Sequence, residues 1–196
     1  MADKPIIFSA PMVRALLDGS KTQTRRVIKK KAAFDALTIG GPSWLTLAGN
    51  CDLLPINARP GDRLWVREAV TWVSAWGWRY RADNDDLTEK REAGEVGKWR
   101  PSIHMPRWAS RLTLTVTDVR VERLQEIREA DAVAEGVDAV PMDEVPRQAS
   151  MSRRSDFAAL WKSLHGPAAW GANPWVAAYT FTVQRGNIDQ PEAPHA

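Results

Sequence analysis

The sequence has 196 residues and a formal net charge of +3, which suits one domain, or one domain with insertions, that buries a sizeable core. A single cysteine excludes an intramolecular disulfide, and the three histidines are not spaced as zinc ligands. Since neither a secretory signal nor an apolar run of roughly 20 residues is present, we expect a cytoplasmic protein with no membrane partner, no metal and no cofactor.

The first elements predicted along the chain are a strand, a helix and a second strand. Residues 6–8 are apolar and predict the first strand. Apolar residues at helical spacing predict a helix over 11–18, and Gly19 is the residue expected to end it. Residues 22–28 alternate and contain β-branched side chains, so they predict the second strand.

The stretch after this helix concentrates reactive side chains. It reads Gly19-Ser20-Lys21-Thr22-Gln23-Thr24-Arg25-Arg26. A lysine beside two fixed cations loses its proton more easily than a free lysine, and a threonine hydroxyl offers a nucleophile. Arginines can hold a phosphate or a carbonyl oxygen in a bidentate manner. The same residues also fit a solvated turn at the start of a strand, so both interpretations stay open.

Basic residues are concentrated around the same stretch. They are Lys21, Arg25, Arg26, Lys29, Lys30 and Lys31. Such a cluster suits a nucleic-acid backbone or a nucleotide phosphate, and it equally suits a solvated edge.

The rest of the chain continues as strands with helices between them. Alternating side chains predict strands over 63–68, 111–121 and 174–184, and apolar stripes predict helices over 129–135 and 157–164. Strands joined by short helices, with β segments at both ends of the chain, predict an α+β fold. We expect a small mixed β-barrel whose last strand closes onto the first.

Irregular segments interrupt this pattern. We interpret residues 1–185 as a single domain with inserted segments near 29–60, 71–98 and 138–154, because these lack a clear period. The polar, proline-containing residues 186–196 are expected to be a disordered tail.

The order of the motifs carries a family resemblance. A helix leads into Gly-x-Lys-Thr-x-Thr-Arg-Arg, and a strand follows Gly61-Asp62. A threonine-rich strand then leads to a helix that stops at Gly136, and a Phe-x-x-Leu-Trp helix precedes Pro174-Trp175. This combination resembles the ASCH domain, a small barrel related to the PUA family of RNA-binding modules. The resemblance covers residues 5–36, 60–70, 98–137 and 155–184, and residues 103–110 resemble the version found in bacteriophage and prophage proteins.

The resemblance implies an activity and a site. The family includes amidohydrolases that remove the acetyl group from 4-acetylcytidine. Carried over by position, Lys21 is the proton acceptor, Thr24 the nucleophile and Glu135 the proton donor, with Glu129 as the competitor for the last role. In a regular strand, residues three apart point to opposite faces, so Lys21 and Thr24 converge only if Lys21 lies in the turn.

Further residues are predicted to bind the substrate or RNA. They are Thr22, Arg25, Arg26, Arg67, Glu68 and Trp76. Trp72, Trp76 and Trp78 lie close together in the sequence and could stack on a base, or they could pack an inserted segment against the barrel. The expected partner is a nucleoside or single-stranded RNA.

Three other functions stay open beside the amidohydrolase. The first is a non-catalytic module that binds RNA or a modified base in the same pocket. The second is a ribonuclease in which Lys21 and the arginines hold phosphate. The third is a phage accessory protein that binds a partner through an exposed apolar patch near Trp76.

Overall fold

The computed structural model describes residues 2–28, 56–74, 76–83, 87–139 and 152–190. Its strands are β1 (Asp3–Ile7), β2 (Gln23–Val27), β3 (Arg63–Arg67), β4 (Val70–Val73), β5 (Gly77–Tyr80), β6 (Leu112–Arg123) and β7 (Trp175–Arg185). Its α-helices are α1 (Ala10–Leu17), α2 (Thr88–Glu92), α3 (Glu129–Ala134) and α4 (Arg153–His165).

Five of the strands form one mixed sheet in the order β1-β3-β6-β7-β2, and β4 pairs with β5 in a separate hairpin. β1 runs parallel to β3, and the other neighbours in the large sheet are antiparallel. The α+β class predicted from the sequence is confirmed. The predicted closure of the last strand onto the first is wrong, because β6 and β2 occupy the two hydrogen-bonding sides of β7. Within the described residues the sheet is therefore open, with β1 and β2 at its edges.

The core lies where α1 and α4 cover the sheet. α1 contributes Met12, Val13 and Leu16 to it, and α4 contributes Phe157, Leu160 and Trp161. Most of the predicted stripes therefore face the core, whereas Leu164, the last residue of the predicted α4 stripe, is exposed. α4 begins four residues earlier than predicted, because the Ser152 hydroxyl accepts a hydrogen bond from the Ser155 N–H and caps a polar first turn.

The long strand β6 keeps its apolar side chains in the core by means of a bulge. Leu112, Leu114 and Val116 alternate as predicted, and the register with β7 then shifts between Val116 and Asp118. The extra residue moves the apolar positions from even to odd numbers, so that Val119 is also buried in the core.

The chain is packed beyond the predicted end of the domain. Ile188 is buried, and the Asn187 side-chain amide donates to the carbonyl oxygens of Arg107 and Ser110 at 2.8 Å each. Residues 186–190, which were expected to belong to the tail, thus include a buried apolar side chain and an amide bonded to the segment before β6. Residues 191–196, like most of the segments predicted as insertions near 29–60 and 138–154, lie outside the described residues.

The third predicted insertion, near 71–98, has regular structure. It contains most of the β4–β5 hairpin and α2, and isolated bridges join Val73 to Val96 and Val70 to Arg100. Val70 and Val73 are fully buried, so this segment is packed although its sequence is rich in charged residues.

The turn after α1 is joined to the end of α3. An isolated antiparallel bridge pairs Lys21 with Glu135, and the Thr22 N–H donates to the Ala134 carbonyl at 2.9 Å. Gly136 has a positive φ of 78°, and a Cβ placed there would lie 3.0 Å from both the Ala15 and the Lys21 Cβ atoms. This position therefore needs glycine for its backbone and also for its surroundings.

Gly136→Ala should destabilise the fold more than Gly19→Ala. Gly19 has a similar φ of 81° but no atom within 4 Å of the added Cβ, so its substitution carries only the backbone strain of about 1–2 kcal/mol. Gly136→Ala adds overpacking, which typically costs about 1–3 kcal/mol more. Urea unfolding of both variants measures the difference, and equal losses would show that the joint does not require close packing.

Candidate active site

The predicted catalytic residues Lys21, Thr24 and Glu135 line one cavity of about 360 Å³, which we call the Lys21 cavity. Its other lining residues are Ile7, Phe8, Ser9, Met12, Arg25, Arg26, Ser102, Phe157, Leu160, Trp161, Leu164 and His165. The turn after α1 and strand β2 supply the polar side, and β1, α1 and α4 supply most of the apolar side. The structure thus brings together residues that are more than 110 positions apart in the sequence.

Lys21 lies in the turn, two residues before β2 begins, so the condition for its convergence with Thr24 is met. It is 1% exposed and is the largest of the fully buried side chains in the described residues. Its Nζ donates to three oxygens: the Gln23 carbonyl at 2.8 Å, the Glu135 carbonyl at 2.7 Å and Glu135 Oε2 at 2.9 Å. All three ammonium protons therefore have acceptors.

Glu135 is the residue at which α3 ends, and its carboxylate connects two cations. Oε2 accepts from Lys21, and Oε1 accepts from Arg25 Nη1 at 3.0 Å. The side chain is only 5% exposed, and a carboxylate in such surroundings requires this compensation.

Glu129, the competing acid, has a different task. Its carboxylate accepts from the Ser152 hydroxyl and from the backbone N–H groups of Arg153 and Arg154 at the start of α4. It therefore holds α3 to the N-terminus of α4 and does not line the Lys21 cavity.

Arg25 is held by a network of acceptors at the floor of the site. Its Nε and Nη2 donate to Glu122 Oε1 at 2.9 and 2.6 Å, and its Nη1 also donates to Gln23 Oε1 at 2.7 Å. Asp131 lies 3.4 Å from Nη2. With its donors engaged in this way, Arg25 positions Glu135 and has little capacity left for a ligand.

Arg26 and Thr24 have more freedom. Arg26 Nη2 donates to the Ile7 carbonyl at 2.6 Å, and the guanidinium carbon lies 5.2 Å from the Phe8 ring centroid. Thr24 is 4% exposed and lines the cavity from β2. A hydroxyl and a guanidinium fork therefore face a space that a ligand can enter.

The electrostatics of the site favour a lysine that can lose its proton. Burial lowers the pKa of Lys21, and the cations of Arg26 and Arg25 lower it further. The Glu135 carboxylate opposes them by charge and by its hydrogen bond. On the opposite wall, burial and Arg26 lower the pKa of His165, which favours the neutral imidazole.

Aromatic rings form the apolar walls. Phe157 and Trp161 pack together at a centroid distance of 5.8 Å, and the Trp161 and His165 rings are 4.2 Å apart. The buried Trp161 Nε1 has no hydrogen-bond partner among the described residues. A buried donor without a partner is costly, and in a cavity wall it can be satisfied by an acceptor on a ligand.

Four of the predicted binding residues lie elsewhere. Thr22 is exposed and does not line the cavity. Glu68 is buried in an ion pair with Arg111, with N–O distances of 2.8 and 3.1 Å. Arg67 packs on Trp65 and donates to the Ile103 carbonyl. Neither Arg67 nor Glu68 lines the cavity.

Trp76 belongs to a separate cluster on the β4–β5 hairpin. Trp72 and Trp76 are 49% and 46% exposed, and Arg79 and Lys90 approach the Trp76 ring at 5.3 and 4.4 Å. Trp78 contacts Trp72 edge-on at a centroid distance of 5.6 Å. The cluster is thus partly packed and partly exposed, and it does not line the Lys21 cavity.

Several other groups at the site have no direct signal in the sequence. Gln23 lies inside the motif and contacts both Lys21 and Arg25. Glu122 and Asp131 reach Arg25 through the sheet order and the packing of α3, and no local pattern reveals this. Phe157 and Trp161 could be predicted only as core residues, because a cavity wall and a core stripe have the same spacing.

The described residues contain no group of three histidine, cysteine, aspartate or glutamate side chains that could hold a metal ion. No helix among them combines the length and apolar content needed to cross a membrane.

Comparison with known proteins gives little further information. No family model matches the sequence, and no curated protein matches it. The chain is similar to the crystal structure of protein EF3133 from Enterococcus faecalis V583, described by the family model DUF984. The TM-score is 0.42 and the identity 10%, over 98% of this chain and 86% of that one. The function of the site must therefore be argued from its own geometry.

Glu135→Gln should lower the pKa of Lys21 below its value in the unmodified protein. The substitution removes the carboxylate that raises this pKa and leaves burial, Arg25 and Arg26, all of which lower it. An NMR titration of the Lys21 side chain measures the change.

Glu129→Gln is the matched control, because Glu129 is exposed and contacts α4 instead of Lys21. It should leave the Lys21 titration unchanged. A larger shift in Glu129→Gln than in Glu135→Gln would contradict the pairing described above.

Proposed function

We propose that this chain is an ASCH-type domain that hydrolyses an acylated exocyclic amine on a pyrimidine nucleoside, with 4-acetylcytidine as the model substrate. One observation carries the proposal: Lys21, Thr24 and Glu135 line a single small cavity that also has aromatic walls. A planar base can pack against those walls, and amide hydrolysis needs a nucleophile, a base and an acid within reach of one carbonyl group.

The first step forms an acyl-enzyme ester. Thr24 Oγ1 attacks the carbonyl carbon of the acyl group while neutral Lys21 Nζ takes the hydroxyl proton. The carbon–nitrogen bond of the tetrahedral intermediate then breaks, and the exocyclic nitrogen leaves with a proton as the free amine. Water attacks the Thr24 ester in the second step, which releases the carboxylic acid and restores the hydroxyl.

The hydrogen bond between Lys21 Nζ and Glu135 Oε2 provides a route for this proton. At 2.9 Å the proton that Lys21 accepts from Thr24 can pass to Glu135 and from there to the leaving nitrogen. One proton thus moves from nucleophile to leaving group with no net change in the charge of the site.

Lys21 must first become a base. Its three acceptors suit an ammonium, whereas a neutral amine has two N–H donors and a lone pair. When substrate enters, Lys21 therefore has to lose one proton and one of its three hydrogen bonds. The lowered pKa of Lys21 reduces the free energy that this requires.

Arg26 is the candidate for stabilising the oxyanion. It lines the cavity, and its described hydrogen bond through Nη2 goes to a neutral carbonyl. A guanidinium held in a half-buried site stabilises developing negative charge more strongly than it would in bulk water.

A non-catalytic module that binds a modified base is the second candidate. Trp161 Nε1 favours it, because this buried donor has no partner among the described residues and, with the aromatic walls, suits recognition of a base edge without any reaction.

Wild-type protein should release cytidine from 4-acetylcytidine, and Thr24→Val should reduce kcat by at least about 100-fold because it removes the nucleophile. Thr24 is outside the ion-pair network, so its substitution disturbs the fold less than that of Lys21 or Glu135. Thr24→Ser retains a hydroxyl and should keep a substantial part of the activity. Cytidine release followed by chromatography measures all three proteins.

Binding of cytidine, followed by tryptophan fluorescence, separates the two candidates. Tight binding by the wild type without any turnover would contradict the hydrolase and favour the binding module. Turnover that survives Thr24→Val in a folded protein would exclude Thr24 as the nucleophile.

The rate should also depend on pH in a defined direction. Since Lys21 acts as a neutral base, kcat/KM should be lost as the pH falls through the Lys21 pKa and should rise above it. This limb should lie at lower pH than the ordinary lysine pKa, because burial lowers the Lys21 value. A rate limb at or above the ordinary lysine pKa would contradict the base assignment.

A further inference from the structure

A second cavity of about 490 Å³ adjoins the Lys21 cavity, and we call it the Arg81 cavity. The two share the lining residues Phe8, Ser9 and Ser102. A ligand that fills the Lys21 cavity can therefore extend past these three residues without leaving the protein surface.

The Arg81 cavity differs from its neighbour in charge. Arg14 from α1 and Arg81 from the segment after β5 both line it, and none of its described lining residues carries a carboxylate. In the Lys21 cavity, by contrast, Glu135 is paired with both Lys21 and Arg25. An anionic group that enters the Arg81 cavity therefore meets two guanidinium-bearing side chains and no carboxylate among the described lining residues.

The two arginines are carried by two elements that pack against each other. The Arg81 N–H donates to the Ala69 carbonyl at 2.9 Å, and the guanidinium carbon lies 5.7 Å from the Trp99 ring centroid. Arg14 lies within α1, whose helix packs against the segment containing Arg81. Two planar forks from different elements thus reach one cavity, a combination that suits the several oxygens of a phosphate group.

The chemistry along the two cavities matches the parts of a nucleotide. Aromatic walls suit the base in the Lys21 cavity, and the shared boundary contributes the hydroxyls of Ser9 and Ser102 next to the Phe8 ring. Arginines then line the far end. We propose that the Arg81 cavity is a phosphate subsite, so that this protein takes phosphorylated cytidine derivatives in preference to the free nucleoside. This inference rests on the proposed function for the identity of the base.

The direct test compares 4-acetylcytidine with its 5′-monophosphate and its 3′-monophosphate. One of the two monophosphates should show a KM about tenfold lower than that of the nucleoside, because charge-assisted hydrogen bonds to the phosphate are added. Arg81→Gln and Arg14→Gln should each remove most of this gain while leaving kcat for the free nucleoside unchanged. Arg91→Gln, an exposed arginine on α2 that does not line the cavity, is the matched control and should retain the gain.

A binding measurement keeps this inference separate from the hydrolase. Cytidine and its two monophosphates are titrated by calorimetry, with no reaction involved. Tighter binding of a monophosphate that depends on Arg81 supports the subsite even if no acylated substrate is turned over. Equal affinity of nucleoside and monophosphates, or a gain that survives both Arg81→Gln and Arg14→Gln, overturns it even if 4-acetylcytidine is hydrolysed.

A third comparison decides whether the phosphate belongs to a free nucleotide or to a polynucleotide backbone. A trinucleotide with acetylcytidine in its centre carries phosphodiesters in place of a monoester. If KM falls as far for the trinucleotide as for the monophosphate, and the fall depends on Arg81, the subsite is assigned to a polynucleotide backbone. If KM falls only for the monophosphate, the subsite is assigned to a free nucleotide.

Discussion

The ion pair between Lys21 and Glu135 is the interaction on which the rest of the site depends. It joins the turn after α1 to the end of α3, two segments that the backbone also connects through an isolated bridge. Both side chains are almost completely buried. Replacing a buried ion pair with apolar residues is often neutral or stabilising, whereas removing one partner costs about 3–5 kcal/mol. A buried ion pair of this kind is thus weak evidence for a role in stability, and its position in a cavity wall favours a role in the chemistry of the site.

The surrounding charges make this pair possible. Glu135 accepts from Arg25 as well as from Lys21, and Arg25 is itself held by Glu122 on β6. A carboxylate that accepts hydrogen bonds from two cations is held by both, and a cation with several acceptors remains in place. Lys21 is therefore held next to a negative charge that raises its pKa, while burial and the two arginines lower its pKa. Proton transfer is favoured when the net result of these effects is a lysine pKa below its ordinary value.

The sequence predicted the local part of this arrangement and missed the long-range part. Lys21, Thr24 and the two arginines are contiguous, so their placement followed from the turn at Gly19 and the strand after it. The helix predicted over 129–135 is present, and Glu135, carried over from the family resemblance, is its C-cap residue. The structure adds that Gly136 is needed for its close approach to Lys21.

What could not be predicted depends on the order of the strands. Arg25 meets Glu122 because β2 lies beside β7 and β7 lies beside β6, and nothing local to either residue encodes that order. The same reason accounts for Glu68, which alternation placed near a strand end but which the fold pairs with Arg111. The expectation of a closed barrel failed similarly, since strand propensity does not specify which strands become edges.

The hydrogen bonds of Lys21 bear on the choice between hydrolysis and simple recognition. A module that only binds a base benefits from donors that are free to contact it, and within the described residues Trp161 Nε1 is such a donor. Lys21 is not, because all three of its protons already have protein acceptors at 2.7–2.9 Å. Recognition alone would thus bury a costly cation that contributes little to the ligand. A proton-transfer role uses the same arrangement well, because loss of one proton leaves Lys21 anchored by its two remaining N–H groups and frees a lone pair for the hydroxyl of Thr24. The geometry of Lys21 therefore favours the hydrolase, although the walls of the cavity would serve either function.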